Sequence, residues 1–157
     1  MENKNEKFMR MAIELAVENV KNGGGPFGAV IVKDDEVVAT GVNRVTANHD
    51  PTAHAEVSAI RTACQKLKTF DLSGSTIYTS CEPCPMCLGA IYWARISHVF
   101  CGCNQVDADK IGFSDAFIYR ELEKPMNERE LQQTFILHEE ALKAFQAWEE
   151  KEDKIEY

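Results

Sequence analysis

Two short stretches of the sequence combine side chains that bind a transition metal with a side chain that moves protons. His54 and Glu56 belong to the sequence HAE, and Cys84 and Cys87 belong to the sequence PCPMC. Zinc favours imidazole nitrogen and thiolate sulfur, and a catalytic zinc keeps its fourth position open for water. The pattern therefore predicts a site with three protein ligands, His54, Cys84 and Cys87, and one zinc ion per subunit.

Glu56 is not needed as a ligand and is available for acid–base chemistry. Zinc lowers the pKa of a bound water from about 16 to roughly 7. A nearby carboxylate can take that proton as hydroxide forms, and can return protons to a ring nitrogen and to a departing amine. The predicted reaction is attack of zinc hydroxide on a ring carbon that bears an exocyclic amine, with Glu56 as the proton shuttle.

Local helix signals explain how these residues can serve one metal. Cys84 and Cys87 are three apart and share a helix face, and Pro83 predicts that this helix begins beside them. The free N–H groups and the dipole of a first helical turn favour thiolates. His54 and Glu56 are two apart, so they meet only at the open end of a helix. Two helix N-termini are therefore expected to converge on the metal.

The other cysteines leave alternatives open. Cys81 and Cys84 are also three apart, so a disulfide between them or a site with three cysteines is an alternative. We rank both lower because Cys81 precedes the predicted helix and should not share its face. Cys64 is predicted to be buried in a helix, and Cys101 and Cys103 are interpreted as packed thiols near the end of a strand.

Hydrophobic periodicity predicts strands and helices that alternate along the chain. The predicted helices cover residues 4–21, 52–67, 84–94, 115–123 and 139–151. The predicted strands cover residues 27–33, 36–43, 75–79, 97–102 and 134–137, and residues 44–50 and 105–114 are predicted to be loops. This order predicts an α/β fold, a three-layer α/β/α domain around a mixed sheet of about five strands.

The composition is that of one globular domain, with 157 residues of which 45% are hydrophobic and 27% charged. No apolar run approaches the roughly 20 residues that a membrane helix needs, and residues 1–7 are polar. We therefore predict a cytoplasmic protein without a membrane partner. The formal net charge of −8, without a visible Lys/Arg cluster, disfavours a nucleic-acid partner.

The order His-x-Glu followed by Pro-Cys-x-x-Cys is typical of zinc deaminases that act on nucleobases. The chain is similar to the cytidine-deaminase-like superfamily, and it resembles the small bacterial guanine deaminases over nearly its whole length. The resemblance beyond the zinc motif is carried by Gly24–Val30, Ile91–Arg95, Gly112–Asp115, Phe145–Trp148 and Tyr157. It implies deamination of guanine to xanthine in purine metabolism, with His54 contacting the purine base as well as the metal.

The resemblance also implies roles for five further residues. Phe27 and Trp93 would line the base pocket, and Asn43 would form hydrogen bonds with the purine. Asp115 would contact the substrate and help to relay protons, and Tyr157 would close over the site.

The residue types leave other interpretations open at all five positions. Phe27 also suits a core position, Asn43 a turn and Trp93 helix packing. Asp115 suits the N-cap of a short helix, and a terminal residue such as Tyr157 is usually poorly ordered.

Assembly is implied by the resemblance alone. The family's C-terminal arm, residues 115–157 here, exchanges between the subunits of a homodimer. Residues 101–111 match the family pattern only loosely.

Other functions remain open at this point. Deaminases of adenosine in tRNA share the zinc motif, but they need a basic groove for RNA, and this chain is acidic. A cytosine or pterin substrate is a weaker alternative. A zinc-stabilised binding module without catalysis is the alternative of a different class, but structural zinc is usually closed by four protein ligands.

Overall fold

Seven α-helices and four strands are formed by residues 3–157, the part of the chain that the computed structural model describes. The helices are α1 (Lys4–Lys21), α2 (Val45–Asn48), α3 (Ala55–Leu67), α4 (Pro85–Trp93), α5 (Gln105–Lys110), α6 (Asp115–Glu123) and α7 (His138–Glu150). The strands are β1 (Gly28–Lys33), β2 (Glu36–Val42), β3 (Thr76–Cys81) and β4 (His98–Cys103). A 3-10 turn covers Met126–Glu128.

The strands form one mixed sheet in the order β2-β1-β3-β4. Strand β1 pairs antiparallel with β2 and with β3, whereas β3 and β4 are parallel. Asp34 and Asp35 connect β1 to β2 with φ angles of 50° and 65°, as the two central residues of a tight hairpin turn require. The predicted mixed sheet is confirmed, but the expectation of about five strands is wrong, because the sheet has four.

The missing strand is the one predicted over residues 134–137, which adopt no regular secondary structure. A strand is stable only when its backbone N–H and C=O groups find a neighbouring strand. Within residues 3–157 this segment pairs with none. Its β-branched and aromatic composition was therefore not sufficient to make it a strand.

Helices cover both faces of the sheet and make the three predicted layers. Successive side chains of β1 point to opposite faces, and its first five residues are all buried. Ile31 packs on the face that holds Ala59 of α3. Val30 packs on the other face with Phe8 and Ala12 of α1. The continuous apolar run of β1 follows from this double burial.

Two predicted loops contain short helices. Helix α5 lies within the predicted loop 105–114 and begins with a capping box, in which Asn104 and Asp107 exchange side-chain-to-backbone hydrogen bonds. This Asn-x-x-Asp spacing is a signal that the sequence carries. Helix α2 lies within the predicted loop 44–50, and its N-cap residue Arg44 makes no side-chain capping bond, so its sequence carries no comparable signal.

The interpretation of Cys101 and Cys103 as packed thiols is wrong, because both are exposed. They lie on β4, an edge strand of the sheet, where a neighbouring strand is present on one side only. Cys64 on α3 is half-buried rather than buried.

Strand β2 and helix α3 approach each other closely at Gly41. A Cβ atom at this position would lie 2.1 Å from the carbonyl oxygen of Ala55 and 2.6 Å from the backbone nitrogen of Ala59. Because backbone atoms cannot rotate away, we expect Gly41→Ala to lower the free energy of unfolding by about 1–3 kcal/mol in urea titrations. Gly89→Ala is the matched control, since no atom beyond the neighbouring backbone of its own helix lies within 4 Å of its Cβ position. Gly89→Ala is expected to be neutral or to stabilise α4 by up to about 1 kcal/mol. An equal decrease in the free energy of unfolding in both variants would contradict the prediction.

The described chain forms two compact units, one that ends at Tyr119 and one over Arg120–Tyr157. In the second unit, Glu121 is buried and accepts a hydrogen bond from the backbone N–H of Glu130 at 2.7 Å. Helix α7 in this unit has no buried residue. Among residues 3–157, no helix is both long and apolar enough to cross a membrane.

Candidate metal centre and active site

His54 is the N-cap residue of α3, which begins at Ala55 and not near residue 52 as predicted. Its backbone is extended, with φ −74° and ψ 158°, and its imidazole makes no capping hydrogen bond. The ring is therefore available to the site. Glu56 is the second residue of the same helix and is only 6% exposed. The prediction that these two residues meet at a helix mouth is confirmed.

Cys84 is the N-cap residue of α4, and Cys87 lies in the first turn of this helix. The helix begins at Pro85, one residue after the start predicted at residue 84. The residue before a proline is held in an extended conformation, so Cys84 cannot be helical. The second proline thus determines where the helix begins, and it places Cys84 at the helix end.

The three predicted ligands converge. The Nδ1 atom of His54 lies 3.5 Å from the Sγ atom of Cys84 and 3.5 Å from that of Cys87. Zinc–nitrogen and zinc–sulfur bonds at a tetrahedral angle require a separation of about 3.5 Å between N and S. The three donor atoms lie within 4.8 Å of one another. Among residues 3–157 they form a group of three, without Cys81, and such a donor set fits a zinc ion with an open fourth position.

The electrostatics of the cysteine pair favour a thiolate at Cys84. The hydrogen bond from the Cys87 thiol, and then that from His54, lower the pKa of Cys84 to about 4. The same hydrogen bond and burial raise the pKa of Cys87 above its usual value. The hydrogen bond to Cys84 also raises the pKa of His54. A thiolate is the form of cysteine that binds metals.

Burial raises the pKa of Glu56 above that of an ordinary glutamate. A carboxylate whose pKa approaches the working pH is the kind that both accepts and donates protons. The burial follows from its place in the first turn of α3, beside the sulfur atoms.

A cavity of about 270 Å³ opens beside two of the three ligands, His54 and Cys84, which line it. This volume is below the range that is usual for drug-sized ligands, so the cavity suits a smaller one. Six of the residues that the sequence predicts for the site line the cavity: Phe27, Asn43, His54, Glu56, Cys84 and Asp115.

Asp115 is the first residue of α6 rather than its N-cap. It lines the cavity, and burial raises the pKa of its carboxyl group. Tyr119, one turn further along α6, donates a hydrogen bond to the carbonyl oxygen of Pro83 at 2.7 Å. This bond ties α6 to the segment that precedes Cys84.

The structure does not place Trp93 or Tyr157 in the predicted site. Trp93 ends α4, is 69% exposed and is not a lining residue. Tyr157 belongs to the second unit and is 70% exposed. Their assignment to the site stays a prediction from the resemblance.

Sequence reasoning missed several cavity residues. Phe113 meets Phe27 edge to face, with ring centroids 4.9 Å apart and planes at 89°, and both rings line the cavity. Phe113 lies in a segment that carries the resemblance, but its residue type alone indicates no role. Thr46 also lines the cavity. It belongs to α2, which no local signal predicts.

Comparisons with known proteins agree with this geometry. The family described as "Cytidine and deoxycytidylate deaminase zinc-binding region" matches residues 2–103. Guanine deaminase of Bacillus subtilis (strain 168) is 53% identical, and the match covers 97% of this chain and 98% of that protein. A tRNA-specific adenosine deaminase of Buchnera aphidicola subsp. Baizongia pistaciae (strain Bp) is 40% identical, over 70% of this chain and 68% of that protein.

Solved structures show the same likeness. The X-ray structure of guanine deaminase from Bacillus subtilis superposes with a TM-score of 0.94 at 52% identity, covering 100% of this chain and 99% of that one. A structure of guanine deaminase from Nitrosomonas europaea superposes with a TM-score of 0.67 at 34% identity, covering 76% of this chain and 66% of that one.

Proposed function

Because the chain belongs to the cytidine and deoxycytidylate deaminase zinc-binding family, we propose that it converts guanine and water to xanthine and ammonia. The observation that carries the proposal is the convergence of His54, Cys84 and Cys87. Their donor atoms are separated by distances that suit binding to one zinc ion, and the buried Glu56 lies beside them. The choice of guanine is supported by similarity to a guanine deaminase over 97% of the chain, well beyond the zinc-binding region.

The mechanism divides the work between the metal and the protein. His54, Cys84 and Cys87 would hold a zinc ion, which would supply a water nucleophile at neutral pH. Glu56 takes one proton from the attacking water and delivers it to the ring nitrogen beside the attacked carbon. It then takes the second proton from the newly attached hydroxyl group and delivers it to the amine. The C–O bond forms at the carbon that carries the exocyclic amine of guanine, the C–N bond breaks, and ammonia leaves. The raised pKa of Glu56 suits both transfers.

The walls of the cavity would hold the base in position. Phe27 packs against its ring, and the amide of Asn43 binds a polar edge. Asp115 binds the substrate and relays protons, in keeping with its place on the cavity and its raised pKa. His54 contacts the base as well as the metal. Trp93 as a further wall and Tyr157 as a closing residue rest on the family resemblance.

We expect a homodimer in which the C-terminal arm, residues 115–157, is exchanged between subunits. Helix α7 has no buried residue, and Phe135, Ile136 and Phe145 are 80%, 76% and 72% exposed. Apolar surface of this extent is usually covered by a partner. A second copy of the chain is the partner that the resemblance implies. The cytoplasmic location stays a prediction.

Ammonia release from a panel of amines tests the proposed substrate. The panel contains guanine, adenine, cytosine, guanosine and a tRNA anticodon stem. We expect guanine to exceed each of the others by about 100-fold or more in kcat/KM, because a site that forms hydrogen bonds with one base leaves its polar groups unpaired with another.

Each other outcome of the panel has a defined meaning. Release from the tRNA stem but not from guanine would favour the tRNA adenosine deaminases, to which the chain is also similar. The net charge of −8 disfavours that outcome, because RNA binding needs basic surface. No release from any substrate by zinc-loaded protein would favour a binding module. Glu56→Gln protein, run in parallel, measures the background.

A further inference from the structure

Asn19, in the last turn of α1, has a buried amide group that joins two distant segments. Its side chain is 8% exposed. Its Nδ2 atom donates hydrogen bonds to the carbonyl oxygen of Gly25 at 2.8 Å and to that of Asn43 at 2.9 Å. An amide NH₂ group has two hydrogens, so both are used, one on each segment.

The first of these bonds acts on the segment that carries Phe27. The carbonyl oxygen of Gly25 also accepts the backbone N–H of Phe27 at 2.9 Å, which closes a three-residue turn. The backbone at Gly24 packs directly against the Asn19 amide group, because a Cβ atom at Gly24 would be 2.4 Å from Nδ2 of Asn19. Asn19 therefore holds the turn from which the Phe27 ring enters the cavity.

The second bond acts on Asn43, which follows β2 and is itself 8% exposed. The backbone N–H of Asn43 donates to the carbonyl oxygen of Phe27 at 3.2 Å. Its Oδ1 atom accepts the N–H of Val45 at 3.2 Å. The amide oxygen is thereby engaged, and the NH₂ group is the donor with which this side chain can meet an acceptor atom of a purine.

We propose that Asn19 is a positioning residue that sets the distance between Phe27 and Asn43 for the incoming base. This inference rests on the proposed function, in which both residues bind guanine. Asn19 does not line the cavity, and its amide group acts through the two carbonyl groups. Helix α1 is fixed against the sheet, because Phe8, Ala12 and other residues of α1 are buried in the core.

The test compares Asn19→Leu with Asn22→Leu. Leucine has the same number and branching of side-chain heavy atoms as asparagine but donates no hydrogen bond. Asn22 is an exposed residue at the end of the same helix, and its substitution controls for a new apolar side chain there. We expect Asn19→Leu to raise the KM for guanine by about 10- to 100-fold. The kcat should change by less than about threefold, because loss of base binding weakens ground state and transition state alike. Asn22→Leu should match the wild type.

Stability and zinc content separate positioning from a general structural role. A folded Asn19→Leu protein with bound zinc and a wild-type KM would overturn the proposal, even if its urea midpoint were lower. If Asn19→Leu does not fold, Asn19→Asp replaces it, since it keeps the shape and substitutes an oxygen for the donor. Failure of the proposed function looks different, because wild-type protein would then release no ammonia from guanine. The KM comparison would in that case be made on the base of the panel that does react.

Discussion

Glu56→Gln is expected to remove most of the guanine turnover while zinc stays bound. Glutamine has the same length as glutamate, and Glu56 is not one of the three ligands, so the metal site should survive. The amide cannot accept the proton of the attacking water, and acid–base groups of this kind contribute about 10²- to 10⁴-fold to the rate. The measurements are kcat from ammonia release and zinc content per chain.

Two further variants sharpen this prediction. Glu56→Asp keeps a carboxylate but shortens the side chain by one methylene group. We therefore expect it to lower kcat, but by less than Glu56→Gln does. Glu14→Gln changes an exposed glutamate of α1 and should leave kcat unchanged. Turnover close to wild type in zinc-loaded Glu56→Gln protein would remove the proton shuttle from the mechanism.

Loss of a ligand is expected to abolish both zinc binding and turnover. Cys87→Ala removes one of three donor atoms, and we expect zinc affinity to fall by more than about 100-fold, because even outer-shell changes cost about 10- to 100-fold. A chelator should likewise reduce turnover of the wild type to background, and added zinc should restore it. Elemental analysis and ammonia release report the two effects separately.

Cys81→Ala decides between the predicted ligand set and the alternative that includes Cys81. Cys81 ends β3, is buried and lines the cavity, but it lies outside the group of three donors. Burial raises the pKa of Cys81 to about 12, which disfavours the thiolate. We expect this variant to keep one zinc per chain. Zinc lost from Cys81→Ala but kept by Cys87→Ala would show that the ligand set is wrong.

Much of the fold followed from local signals. Helix α1 has the predicted bounds, because apolar residues recur along it at helical spacing and glycines follow its end. The hairpin of β1 and β2 was recognisable because Asp34 and Asp35 tolerate positive φ angles. Residues 134–137 show the limit of this reasoning. They have the composition of a strand, but pairing depends on a neighbour that no local pattern supplies.

The sequence by itself determined the chemistry of the site. Zinc prefers particular donor atoms, and a proline restricts the backbone of the residue before it. Short motifs were therefore sufficient to predict the ligands and the helix ends that present them. The structure refined the predicted start of α4, because the helix begins at Pro85 and Cys84 is its N-cap residue.

Only the tertiary structure decided what surrounds those ligands. Contacts between residues distant in the chain depend on how α1, β2 and the segment before α6 pack, which no short motif encodes. The contact between Phe27 and Phe113 and the hydrogen bond from Asn19 to Asn43 are of this kind. The reaction type is therefore encoded locally, whereas the shape of the base pocket is a property of the folded chain.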